Sequence, residues 1–265
     1  MAYYKNPITR YLLRKNILGR IKYRINSYIR LLTKDALDDI AFLLKDKQVE
    51  IILDVGANIG FMTYQFQRRF PKAVIHAFEP NPSVFSKLQE NYINQRSIHL
   101  YPLGVGEKNS ELLFNINAKN GTSSFLMPTQ YHQLHHAGKL LDPILVSVVC
   151  LDDFCKENHI ERIDILKLDI EGFELNALKG ARELLADQKI DIIYSEVNFL
   201  STYEKQPLFH ELTAYLEKMD YYLFNIDNFS GGSPIRQAVQ SNATYISRTF
   251  RSYLESHFGK HNCGW

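Results

Sequence analysis

From Glu50 onward the chain alternates between two patterns of apolar positions. Short runs that are apolar at nearly every position are "EIILDV" (50–55), "AVIHAFE" (73–79), "SIHLYPLGV" (97–105), "IDILKLDI" (163–170) and "IDIIYSEV" (190–197). Rich in Ile, Leu, Val and Tyr, they have the pattern of strands covered on both faces. Between most of them lie segments with apolar residues every three or four positions: "FMTYQFQRRF", "PSVFSKLQENYIN", "FELNALKGARELLAD" and "PLFHELTAYLEKM". That spacing marks amphipathic helices. Alternating buried strands and helices predict an α/β fold with a doubly wound, mostly parallel sheet. The rhythm breaks between the third and fourth runs. There "SELLFNINA" and "PILVSVVCL" predict two extra strands, joined by the irregular stretch 120–142. A long irregular insertion in a compact domain is usually a functional loop. Near the C-terminus "YYLFNI" and "NATYISR" are expected to complete the sheet.

The first 45 residues follow another pattern. Ile8, Tyr11, Leu12, Ile17, Leu18, Ile21, Ile25, Tyr28 and Leu32 fall near helical spacing with Arg and Lys opposite, and a second short helix is expected over about 35–45. Nine Lys and Arg residues precede the first acid, Asp35, against a net charge of +2, so the rest of the chain is net acidic. The organisation expected is a basic helical appendage, 1–45, on a domain spanning 46–265. Packing on the domain is the commoner fate of such a helix; the alternative is peripheral docking on the anionic inner face of a membrane. The acidic body excludes general nucleic-acid binding. Three cysteines without a CxxC pair argue against a disulfide framework or zinc ribbon and fit a reducing compartment. No run reaches the ~18 apolar residues of a spanning helix, and basic residues interrupt every leader-like run. The expected location is cytoplasmic; a homo-oligomer is left open.

Chemistry enters at "DVGANIG" (54–60), where a buried strand turns through glycines directly into a helix. Such a turn sets backbone N–H groups and a helix N-terminus beside an open crevice. The spacing Gly56-x-Asn58-x-Gly60 with Phe61 following does not meet the dinucleotide fingerprint. It resembles instead the first motif of S-adenosylmethionine (SAM)-dependent methyltransferases. Glu79, nineteen residues after Gly60 at the tip of the second strand, is placed to accept ribose hydroxyl hydrogens, and Pro80 turns the chain outward.

"DVGANIG", "AFEPNP" and "IDILKLDIEGFE" (163–174) together resemble the FkbM family of SAM-dependent methyltransferases over about residues 50–200, the K-h-D-h-E-G-x-E run (h apolar) being the most specific part. The resemblance implies a class I (Rossmann-like) methyltransferase fold and methyl transfer to hydroxyl groups, often of sugars or polyketide-type natural products. It places Asp54, Gly56, Asn58, Gly60 and Phe61 on the methionine-ribose side, Glu79 and Pro80 at the ribose, and Leu103, Gly104 and Gly106 at the adenine, with Asp169 bordering the cofactor. The chain departs from the common methyltransferase pattern in lacking an acid at the third strand's tip.

Ligands of such sheets sit beyond the carboxyl ends of the strands, where Asp169 and Glu196 end the fourth and fifth runs. Asp169 is the first candidate for the base or acceptor-orienting group, with Glu171 and Glu196 behind it. Glu174 starts a helix, where an acid meets the dipole favourably, and reads as structural. Lys167, inside an apolar strand, needs a carboxylate partner; it either holds an acid such as Asp169 ionised or forms a core ion pair. A second mechanistic option is magnesium on Asp169, Glu196 and Asn198, all hard oxygen donors. His132, His135 and His136, on an expected surface loop, lack a Cys or acid at zinc spacing and are better suited to meeting the acceptor. The loop "NGTSSF" (120–125) has hydroxyls to close over a polyhydroxylated acceptor, with a ring resting on Phe125 or Tyr131. The expected function is SAM-dependent O-methylation of a small-molecule or glycan acceptor in glycan biosynthesis. Its rivals are methylation of a polyketide-type or other small natural product, a non-catalytic SAM-binding protein, and a nicotinamide oxidoreductase.

Overall fold

The computed structural model describes residues 36–119, 121–231 and 238–259. The basic helix expected over 7–33, Asn120 and Cys263 lie outside them. The chain divides into two units, 1–45 and 46–265. Within the described part of the first is α1 (Ala36–Leu43), the short helix expected there.

In the second unit the runs apolar at every position become central strands. β1 (Ile51–Val55), α2 (Phe61–Arg69), β2 (Val74–Phe78), α3 (Pro82–Tyr92) and β3 (Ile98–Tyr101) form the first half of the sheet. α3 starts where the sequence dictates: Asn81 caps it, its Oδ1 accepting from Ser83 N at 3.1 Å, and Pro82 occupies the first turn. The run "SIHLYPLGV", read as one strand, is broken at Pro102, which has no N–H to give a ladder. Its second half is β4 (Gly104–Val105), which joins β5 (Ser110–Phe114) and β6 (Ile144–Val149) in a separate three-stranded sheet, order β4-β6-β5. The two extra strands therefore stand apart from the main sheet.

Within the insertion, α4 (Gln130–His132) continues into a π-helical turn, Gln133–Ala137, so the histidines lie on helical turns where a surface loop was expected. After β6 come α5 (Leu151–Glu157), β7 (Ile163–Leu168), α6 (Glu174–Lys179), α7 (Arg182–Ala186), β8 (Ile190–Asn198), α8 (Phe209–Glu217), β9 (Tyr221–Gly231), β10 (Ala238–Ser247) and α9 (Arg248–Phe258). The single helix expected over 173–187 is interrupted at Gly180. A Cβ there would lie 2.0 Å from the Gly106 carbonyl oxygen, so a passing backbone occupies the space a side chain needs. α9 was not foreseen.

The main sheet has the order β3-β2-β1-β7-β8-β10-β9. Its first five strands run parallel and β10 is antiparallel to both neighbours, β8 and β9. This is the doubly wound, mostly parallel sheet expected from the sequence. Every residue of β7 and β8 is buried. Acids at their N-terminal ends are therefore matched: Asp164 accepts from Ile51 N at 2.9 Å and pairs with Lys47 at 2.5 Å, while Asp191 pairs with Lys47 and Arg162. β1 sends the chain to β2 on one side and borders β7 on the other, so the sheet's switch point lies between β1 and β7, and a crevice opens beyond their carboxyl ends.

Gly56 is the first residue past β1 at that point. Its φ of +78° and a virtual Cβ only 1.9 Å from the Asp169 carbonyl oxygen leave no room for a side chain. Gly56→Ala should cost about 3 kcal/mol or more through combined backbone strain and overlap. Urea denaturation checks this; an unchanged midpoint would show that the turn has slack.

Candidate active site

The glycine turn is held from three sides. Gly56 N and Ala57 N donate to Phe78 O at 3.0 and 2.9 Å, tying the turn to the end of β2. Asn58 N donates to Glu79 Oε2 at 3.0 Å, and Asn81 N to Glu79 Oε1 at 2.9 Å. Lys167 Nζ donates to Gly56 O at 2.8 Å. The lysine is 3 % exposed, pairs with fully buried Asp54 at 3.2 Å and reaches Asp169 at 3.5 Å. Burial works against its charge, but Asp54 and Asp169 outweigh it and raise its pKa. Asp54 is completed by Thr63 Oγ1 at 2.6 Å. Lys167 thus forms a core ion pair with Asp54 and also reaches Asp169.

A cavity of about 310 Å³ opens above this turn. Of the residues expected at the cofactor, Gly56, Asn58, Glu79, Pro80, Leu103, Gly104 and Asp169 line it. Asp54, Gly60, Phe61 and Gly106 do not. Asp54 lies beneath the turn; Gly60 takes the Tyr92 hydroxyl on its carbonyl at 2.6 Å; Phe61 is 68 % exposed; Gly106 packs on Val148 and Phe173. Sequence reasoning missed Val84, Asn81 and Phe114, which also line the cavity, as does Ser123 of the loop singled out at 120–125. Phe125, expected over the acceptor, instead lies against Gly104 and packs on Phe114 and Phe173, its ring centroid 4.9 Å from each of theirs. Aromatic wall from the insertion thus lines the cavity beside Leu103 and Gly104, where the third strand's tip lacks an acid. Tyr131 lines neither this cavity nor its neighbour.

These walls fit a nucleoside with an amino-acid tail. The turn presents backbone too closely for side chains. Glu79 uses one lone pair of Oε2 on the turn and one of Oε1 on Asn81 N, which leaves the others to accept from ribose hydroxyls. Leu103, Val84 and Phe125 make an apolar slot for a base.

Three carboxylates meet at the strand tips, where Asp169, Glu171 and Glu196 each offer an oxygen within 4.8 Å of the others. Asp169 is the outermost, its side chain 45 % exposed. Glu171 has a φ of +56°, which turns it back into the site, and Ser124 Oγ donates to its carbonyl at 2.7 Å. Its carboxylate meets the hydroxyl of Tyr203 at 2.9 Å. Tyr203 is 0 % exposed, and its oxygen also lies 2.6 Å from Thr122 O and 3.2 Å from His132 Nε2. Glu196 accepts from Gln240 Nε2 at 3.0 Å and from Asn198. Asn198, the third magnesium donor named from sequence, is buried beside Glu196 and is not among the residues lining this cavity. Tyr203 and Gln240 belong to segments without chemical motif, and nothing in the sequence pointed to them.

Burial, and then the charge of Asp169, push Glu171 well above the usual carboxylate range; burial and the charges of Glu171 and Asp169 do the same to Glu196. Burial raises Glu79 and Glu174 to about 7. Glu174 accepts from Ile170 N at 2.9 Å and Gly172 N at 3.2 Å, the structural role expected of it.

Carboxyls whose folded pKa is raised above 4.5 stabilise the fold fully below that value and lose the contribution as pH rises through about 7. His76 and His132, lowered by burial to about 4, act in the opposite sense only below their unfolded value of 6.5. Melting temperature of the free protein should therefore fall between pH 6.5 and 8, and Glu171→Gln should flatten the fall; an unchanged slope would count against a buried, protonated Glu171. In the ion-pair core, Lys167→Met should cost about 3–5 kcal/mol by stranding Asp54, with partial recovery on adding Asp54→Asn. Urea denaturation of the single and double variants reads this out.

A profile of the methyltransferase FkbM domain matches residues 54–223. Among curated relatives, 2-O-methyltransferase NoeI of Sinorhizobium fredii is 28% identical over 170 residues, covering 62% of this chain and 69% of the relative. Methyltransferase 1 of Beauveria bassiana is 30% identical over 155 residues (54% and 61%), and hexuronic acid methyltransferase AglP of Haloferax volcanii 28% over 166 (61% and 62%). The matched part thus spans under two thirds of the latter two relatives' lengths. With the match running through the glycine turn, Glu79 and the acid cluster, the chain belongs to the FkbM family of SAM-dependent methyltransferases.

Proposed function

We propose that this methyltransferase methylates a hydroxyl group, on a sugar of a surface glycan or its precursor. The observation that carries the reading is the meeting of Asp169, Glu171 and Glu196 at the strand tips, beside a cavity walled by the glycine turn and Glu79. When bound, SAM supplies an electrophilic methyl group. The chain's own part is to hold an acceptor oxygen in line and take up its proton, and positioning contributes most of the acceleration. Glu171 or Glu196, in its ionised form, suits the base, since burial raises the affinity of each for the proton it would take up. Asp169, beside Lys167, suits orientation of the acceptor. Relatives named as a 2-O-methyltransferase and a hexuronic acid methyltransferase support oxygen and sugar respectively.

The compact oxygen set favours a second reading of the same site. Magnesium held by Asp169, Glu171 and Glu196 would lower the hydroxyl's pKa.

The test is transfer of labelled methyl from SAM into source-cell extract, divided into water-soluble and lipid fractions, with and without EDTA. Glu171→Gln should reduce transfer by about 10²–10⁴-fold while leaving SAM binding intact. EDTA abolishes transfer on the magnesium reading and leaves it unchanged if the carboxylates act alone. Label in the lipid fraction would identify a lipid-linked glycan, label in the soluble fraction a free or nucleotide-linked sugar or a small metabolite. Binding of NAD in preference to SAM would overturn the assignment.

A further inference from the structure

Beside the cofactor cavity lies a second space of about 370 Å³. Gly121 and Glu171 line both, so the two meet at a carboxylate of the acid cluster. The insertion supplies one wall through Lys119, Thr122, His132 and His136, and Thr202 and Gln240 contribute to the rest. Val239 is the one hydrophobic side chain among its described lining residues. A ligand here is held by hydrogen bonds and charge, which disfavours a largely apolar acceptor.

The charge is arranged by side. Lys119 and His136 both act on the ring of His132, which burial, their charges adding, lowers to about 4. His136 stacks on that ring at 5.6 Å. Three basic side chains thus converge on one wall, and Lys119 has no ion-pair partner among the described residues. His132 is only 5 % exposed, and its Nδ1 has no hydrogen-bond partner among the described residues. An unmet buried polar atom is costly, and a ligand's polar group would satisfy it. Glu171 stands where this space joins the cofactor cavity.

We infer that the second cavity is the acceptor subsite, and that its ligand is a hydroxylated molecule bearing an acidic group, held by Lys119 and His136 while a hydroxyl lies at Glu171. The inference rests on the methyltransferase reading above and adds the place and charge of the acceptor. Both a carboxylate and a phosphate present the chemistry that this wall recognises.

The test uses the full chain saturated with S-adenosylhomocysteine, titrated calorimetrically with methyl glucuronoside, glucose 1-phosphate and uncharged methyl glucoside. At least one anion should bind roughly tenfold tighter than the glucoside, as expected of a hydrogen bond to a charged group. The stronger of the two anions identifies carboxylate or phosphate as the acid. Lys119→Met should remove the preference while leaving affinity for the glucoside and for S-adenosylhomocysteine unchanged, the latter showing that the variant folds. With S-adenosylhomocysteine bound, equal binding of all three probes, no binding of either anion, or a preference that survives Lys119→Met would overturn the inference alone. Failure of S-adenosylhomocysteine to bind would overturn the cofactor reading beneath it.

Discussion

One buried ammonium organises the site. Lys167 lies opposite Asp54 in the pairing of β7 with β1, inside strands closed to water. Removing such a charge from water costs several kcal/mol, and only close partners offset it. The partners are on adjacent strand ends: Asp54 beside it, the Gly56 carbonyl at the start of the turn, and Asp169 beyond. The requirement to solvate one charge therefore fixes the path of the glycine turn relative to the acid cluster. Glu79 completes the frame from the other side, since its carboxylate binds the turn and the Asn81 backbone together.

The strands were legible because parallel strands covered on both faces leave an unbroken apolar run. The same signal made the polar exceptions in those runs conspicuous. Lys167 and Glu196 could not be ordinary filling, and the glycine turn with Glu79 named the crevice. The breaks at Pro102 and Gly180 were harder to see. Proline's missing donor is a local fact that was passed over, whereas the bar at Gly180 is the Gly106 backbone, more than seventy positions away in sequence.

What could not be read was set by contacts between distant segments. Phe125 looked like a platform for an acceptor; its packing on Gly104, Phe114 and Phe173 builds it into the wall of the first cavity. His132 looked like a surface residue; Tyr203, from the irregular chain after β8, draws it inward. Tyr203 carries no pattern of period two or 3.6 that would announce the meeting. Asn198 lies on β8 two residues past Glu196, but its amide serves Glu196 rather than the cavity. Proximity along a strand predicted the neighbourhood and not the duty.

The stretch around Gly121 to Phe125 borders both cavities. A ligand that shifts this stretch in one space reshapes the wall of the other, and any resulting change in affinity is reciprocal. There is an evolutionary corollary. Exchange of the whole insertion would disturb the wall of the first cavity at the same stroke. With the acceptor in the second space, as inferred above, change of specificity by drift would be channelled toward single positions that line that space and not the first, such as Lys119, His136 and Thr202.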